Sequence, residues 1–188
     1  MNDIVIDEER ISKTAAAKLF DSGALGRIEH NYKGLCYIHK ALFGEIYEWA
    51  GEKRTIDICK GGMRFTKAEF LDNGIAFADI MPTETFEDII DKFIEFYIVH
   101  PFKHGNDRAL RIWLNVVLGA KFGKVVNYSA IPKPVFTSAM QESPRDDRKL
   151  LAALKGALTT DLGRSMYLRG IDASFAYEGY TEFSASSL

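Results

Sequence analysis

Apolar positions along this chain recur mostly every three or four residues, the spacing of helices that bury one face. Residues 34–49 place Leu35, Ile38, Leu42, Ile46 and Trp49 on such a face, and Gly51 closes the pattern. The period then changes. In KRTIDICKGGMRFT (53–66), Thr55, Ile56, Ile58 and Phe65 favour extended chain, and Gly61–Gly62 suit a tight turn between two short strands. A lone hairpin is marginal in water, so this one, over 55–66, is expected to rest on a helical body. Residues 66–81 open on Thr66 with Glu69 three residues later, the spacing of a capping box, and then offer Phe70, Ile75, Phe77, Ala78 and Met81 to a core. Residues 83–99 repeat the device with Thr83 or Thr85 as cap. They are apolar on most faces, which predicts a central helix. That run meets His100-Pro101, and helices usually end before a proline. Further helices are predicted over 106–122, near Pro132 and Pro134, over 146–158 with Leu150, Leu151, Leu154 and Leu158 to one side, and within the tail 163–183. The expected class is all-α with one β-hairpin, in a single domain spanning 1–188.

Composition changes this picture little. A chain of 188 residues, 47% hydrophobic and 27% charged, is long enough and apolar enough for a soluble globular core. A formal charge of -2 supplies no basic surface, so no direct nucleic-acid partner is expected. No apolar run approaches the roughly 20 residues of a membrane span. The start, MNDIVIDEER, is acidic and has no apolar signal core. Cys36 and Cys59 lie far apart in no metal-type spacing and fit reduced thiols. Together these features predict a cytoplasmic location and no membrane partner.

The candidate chemistry sits in HPFKHGNDRALR, residues 100–111. Projected as a helix from Asn106, Arg108, Arg111 and Asn115 fall on one side, and Leu110, Trp113, Leu114 and Val117 fall roughly opposite. Two guanidiniums near a helix N-terminus, with its free N–H groups, make a polyphosphate site. The alternative is that they pair with surface carboxylates. Gly105 lets backbone approach a ligand closely. His100 either caps the preceding helix or, beside an anion site, removes a proton from an attacking hydroxyl. A zinc set of His100, His104 and Asp107 is disfavoured, because Pro101 interrupts any continuous helix through them.

These residues resemble the Fic (filamentation induced by cAMP) family, whose signature is approximately HPFx(D/E)GN(G/K)RxxR. His100, Pro101, Phe102, Gly105, Asn106, Arg108 and Arg111 match it in register. IHKALFGEIYEWAGEKRT (38–55) looks like the segment before the family's flap and KGGMRF (60–65) like the flap itself, so the resemblance covers most of 30–180. It implies a Fic-type helical bundle and an enzyme that moves AMP from ATP to a hydroxyl of a target protein, releasing pyrophosphate. It makes His100 the general base, sets Asn106 at the α-phosphate, and puts Arg108 and Arg111 on the β- and γ-phosphates. Lys60, Gly61, Gly62, Met63 and Arg64 would register the target by strand addition. SFAYEG (174–179) is similar to the family's inhibitory motif (S/T)xxxE(G/N), which implies a small class with its brake in a C-terminal helix, here 170–183. Ser174 and Glu178, four apart, would share one helical face with Gly179 just after, and Glu178 would pair with Arg111. The resemblance also implies that oligomerisation can hold this helix shut and that self-modification of Tyr177 or Tyr180 can release it.

Two positions depart from the pattern. Where the family carries the acid that binds Mg²⁺, this chain has His104, and Mg²⁺ wants oxygen ligands. His104 predicts weak Mg²⁺ use, another metal such as Mn²⁺, or metal-free chemistry; protonated, it could touch phosphate itself. Asp107 stands where the family has Gly or Lys. It is either a first-turn acid that favours the helix N-terminus or a replacement metal ligand. The alternatives to AMP transfer are a Fic-fold transferase of another nucleotide or of phosphate, and a nucleotide-binding protein without catalysis. The target protein is not legible.

Overall fold

The computed structural model describes residues 2–188, with side chains from residue 7 onward. Helix α1 (Asn2–Asp21) opens the chain and packs on α2 (Tyr32–Phe43). A hairpin of β1 (Cys59–Lys60) and β2 (Met63–Arg64) follows, then α3 (Leu71–Ile80), α4 (Phe86–Val99) and α5 (Asn106–Phe122). The chain continues through β3 (Val125–Val126), α6 (Lys133–Glu142), α7 (Arg148–Gly156), β4 (Leu158–Thr159) and α8 (Arg164–Ala176). The expected helical bundle with a β-hairpin is observed.

The centre is α4 against α5, as the all-round apolar pattern predicts. Ile89, Ile90, Phe93 and Phe96 of α4 and Leu110, Trp113, Leu114 and Val117 of α5 are all buried. The Phe96 and Trp113 rings meet edge to face at 5.3 Å. Each such side chain contributes roughly 1.5–3 kcal/mol of burial, so this seam fixes how the two helices meet. Thr85 starts α4 with a complete capping box: its hydroxyl accepts from the Asp88 N–H, and the Asp88 carboxylate accepts from the Thr85 N–H.

The structure revises several boundaries. The first predicted helix stops at Phe43 instead of Trp49, and residues 44–51 form turns, with Gly51 at φ 83°. Thr66 does not cap α3. Its hydroxyl donates to the Ile98 carbonyl, and Asp57 takes the Ala68 N–H instead. Leu158 leaves the α7 face and joins a second two-stranded ladder, in which Val125 pairs with Thr159 and Val126 with Leu158. That ladder went unpredicted because strands of two residues have no readable period. Both turn glycines of the first hairpin have positive φ, 60° at Gly61 and 80° at Gly62, as a two-residue hairpin turn requires.

Candidate active site

The loop joining α4 to α5 carries the motif, and four devices hold it. Helix α4 ends on His100, the one non-glycine residue with positive φ among those described (φ 48°, ψ 62°). A left-handed histidine is uncommon and persists only when its surroundings enforce it. Arg54 supplies the first enforcement. Its buried guanidinium donates to the carbonyls of His100 (2.8 Å), Val99 (3.2 Å) and Thr66, while its own N–H donates to the Pro101 carbonyl (2.8 Å). It thus satisfies the last carbonyls of α4 and ties the hairpin to them. The second is Asn106, whose amide accepts from the Phe102 N–H and donates to the Phe102 carbonyl, both at 2.8 Å. The third is His39, which lies at 2.8 Å from the His104 carbonyl and accepts from the Gly51 N–H at 2.9 Å. That pairing requires its Nε2 to carry the proton. The fourth is Gly105, the N-cap of α5 at φ 77°, where a Cβ would fall 2.5 Å from the Phe43 ring.

His100 stacks on Phe65 of the hairpin's second arm at 3.7 Å. Burial pushes its pKa from 6.5 down to about 4, against the opposing pull of Asp107. The ring is therefore neutral at physiological pH, the form that can accept a proton. Its Nδ1 is buried without a hydrogen-bond partner, as is Oδ1 of Asp107.

A cavity of about 430 Å³ opens beside the start of α5, between the hairpin and α6. Asp107, Arg111 and Glu178 supply charge to its wall, while Tyr97, Phe136 and Met140 supply apolar surface. Arg111 is buried and fully gripped by the C-terminal segment. Its Nε donates to the Ser174 hydroxyl (2.6 Å), and its Nη2 donates to the Ser174 carbonyl (2.9 Å) and to Oε1 of Glu178 (2.6 Å). Glu178 also faces Arg108 Nε at 3.5 Å and Lys60 at 3.9 Å. Lys60 donates to Oδ2 of Asp107 at 3.0 Å, so the hairpin tip touches both the helix start and the carboxylate.

Several expectations need correction. Ser174 and Glu178 do not share a helical face, because α8 ends at Ala176 and Glu178 lies in the turn before Gly179, which sits at φ 96°. They nevertheless converge on the same guanidinium. Asn106 does not face the cavity, since its amide is spent on the loop. Arg108 does not line the cavity either; it is wholly buried and paired with Glu8 of α1 at 2.7 Å. Tyr177 buries its hydroxyl, which donates to the Tyr128 and Ile131 carbonyls at 2.7 and 2.9 Å, so in this conformation it is no acceptor for modification. Tyr180 donates to Glu8 at 3.0 Å.

Glu8 and Arg54 were missed by the sequence reading. Glu8 is 100 residues from its partner, and no local spacing ties it to that partner. Arg54 could have been flagged only as a cation next to a predicted hairpin.

The donor set for a divalent cation is small. His104 Nε2 lies 3.0 Å from Glu8 and 2.9 Å from Arg108, so it is already engaged. No group of three His, Cys, Asp or Glu is placed to hold a metal among the described residues, and His100, His104 and Asp107 do not assemble. The unpartnered Oδ1 of Asp107, on the cavity wall, fits the one-carboxylate contribution that Mg²⁺ accepts when phosphates and water complete its shell.

The α4–α5 loop and the start of α5 thus bring together a left-handed histidine, a glycine-capped helix start and an arginine in a cavity wall. Residues 29–118 match the Fic/DOC family model, so the chain carries a Fic/DOC domain. It is 26% identical over 141 residues to the probable protein adenylyltransferase Fic of Salmonella typhimurium, covering 69% of this chain and 70% of that one. It is 30% identical over 130 residues to the protein adenylyltransferase VbhT of Bartonella schoenbuchensis, covering 62% of this chain and 27% of VbhT. The fold matches the crystal structure of BepC from Bartonella tribocorum with bound AMPPNP at TM-score 0.69 and 19% identity, over 84% of this chain and 87% of that one. No helix among the described residues is long and apolar enough to cross a membrane.

Proposed function

We propose that the protein is a protein adenylyltransferase that uses ATP and is held off by its own C-terminal segment. The observation that carries this reading is the grip of Ser174 and Glu178 on Arg111 in the wall of a cavity, with the neutral, buried His100 stacked on Phe65 of the same wall. The names of the Salmonella and Bartonella relatives support the transfer, and the AMPPNP in BepC supports the nucleotide.

In this reading His100 takes the proton of a target hydroxyl as its oxygen attacks the α-phosphorus. The bond from that phosphorus to the bridging oxygen breaks, and pyrophosphate leaves. The first N–H groups of α5 face the developing charge, and Arg111 takes the terminal phosphates once Glu178 withdraws. Asp107 would hold a divalent cation, which when bound neutralises phosphate charge. The exposed hairpin edge, Cys59–Lys60, offers backbone for an extended target segment, so the target can vary in sequence. Tyr180 is the candidate for self-modification, since the Tyr177 hydroxyl is buried.

The test is to incubate Glu178→Gly, with and without His100→Ala, with each α-labelled nucleoside triphosphate and Mg²⁺ or Mn²⁺. Label is expected from ATP alone, and only with His100 intact. Label from another nucleotide reassigns the substrate. Label that survives His100→Ala, or none from any nucleotide, rejects the mechanism.

A further inference from the structure

Glu8, on α1, stands at the hub of a cluster behind the cavity wall, and two members of it, His104 and Tyr180, line that wall. Its Oε1 accepts from Arg108 Nη2 (2.7 Å) and the Tyr180 hydroxyl (3.0 Å), with His104 Nε2 at 3.0 Å, and its Oε2 accepts from the Tyr47 hydroxyl (2.9 Å). This carboxylate is buried and saturated, and side-chain hydrogen bonds and the nearby guanidinium outweigh its burial and hold its pKa well below the usual carboxylate range.

Its partner is the opposite. Arg108 is fully buried, with its guanidinium 4.4 Å from the Tyr180 ring, 4.8 Å from Phe43 and 5.3 Å from Phe175. Aromatic contact on this scale fixes the plane of the guanidinium. Yet Nε and Nη1 have no hydrogen-bond partner. Buried donors left unpaired are costly, and here two belong to one permanent cation. Nε already points towards Glu178, whose Oε2 lies at 3.5 Å, too far for a good hydrogen bond. The empty Nε therefore marks the place of an anion that enters where Glu178 now stands.

We propose that Glu8 is a positioning residue for nucleotide binding: it pins Arg108 by Nη2, so that the free Nε meets the terminal phosphates when Glu178 leaves. The inference rests on the nucleotide-transfer reading above. Glu8 is not a second brake. Three of its four side-chain partners, Arg108, His104 and Tyr47, belong to α5, the loop before it and the turn after α2, and only Tyr180 comes from the C-terminal segment. Removing Glu8 leaves the Arg108 charge buried and free to swing.

The test uses Glu178→Gly as parent and measures affinity for ATP and for AMP by calorimetry, together with melting temperature. Glu8→Gln should weaken ATP about tenfold and leave AMP within about twofold, because only ATP carries terminal phosphates. Tyr47→Phe, which frees Oε2, should weaken ATP less and in the same direction, and it carries the test if Glu8→Gln does not fold. Equal loss for both nucleotides marks a merely structural role and overturns the proposal. Unchanged or tighter ATP binding overturns it as well, the latter by making Glu8 a brake. A parent that binds neither nucleotide overturns the transfer reading, and this inference with it.

Discussion

Arg108 and Arg111 lie one turn apart on α5 and carry the same charge, but the carboxylates they donate to come from different elements, Glu8 of α1 and Glu178 after α8. Arg108 is bound by Glu8, inside a helix, with the Tyr47 hydroxyl on that carboxylate's other oxygen. Arg111 is bound by Ser174 and Glu178, the latter in a turn beyond the last helical residue. Breaking a buried ion pair leaves an uncompensated charge, so the pair that can open is the one whose partner can leave as a unit and be replaced by another anion. A turn at the end of a helix can do that more readily than the middle of one. The comparison separates a guanidinium that is positioned from one that is occluded.

The largest expected effect breaks the occluded side. In a Glu178→Gly parent, Arg111→Ala should lower AMP transfer by about 10²–10³-fold, the usual loss when a donor to developing charge is removed. Steady-state rates check it, and a loss below tenfold would return Arg111 to a purely structural role. A smaller effect concerns pH. His39 and His100 both have folded pKa values near 4 because burial disfavours their charged forms. Between 6.5 and 4 the unfolded chain binds more protons than the native one, so stability is full above 6.5 and falls as pH drops through this window. The loss should reach roughly 3 kcal/mol per group at the low end, measured by denaturant melts. Transfer by the parent should stay level from pH 8 to about 5.5, whereas an unburied histidine would already fail there. The smallest effect is a control. Thr85→Ala removes the α4 capping box and should cost about 1 kcal/mol of stability without changing the ratio of parent to wild-type transfer.

How far these features could be read from residues follows from the range of the interactions. Helix α5 came out with the expected bounds, Asn106 to Phe122, because a glycine stops it at each end and its core stripe is unambiguous. The α4–α5 loop was legible as a site through its residue types, but not which of them face the cavity. Asn106 looks like a ligand-binding amide until the Phe102 backbone claims both its atoms. Arg108 falls on the polar side of the projection, yet α1 covers that side and turns it into interior. Thr66 has the spacing of a cap, and a tertiary acceptor at Ile98 outcompetes it. The last two are local rules overridden by partners more than ten residues away; the first is settled within the loop, four residues back. Ser174 and Glu178 stand out by motif, and both touch Arg111, although the helix expected to carry them ends at Ala176, two residues before Glu178.

The central claim is that Glu178 closes the site by occupying Arg111. The direct measurement is the initial rate of label transfer from α-labelled ATP by wild type and by Glu178→Gly at equal concentration. The account predicts a rate for Glu178→Gly at least about a hundredfold higher, in line with restoring one main charge-stabilising donor. Equal rates would contradict it.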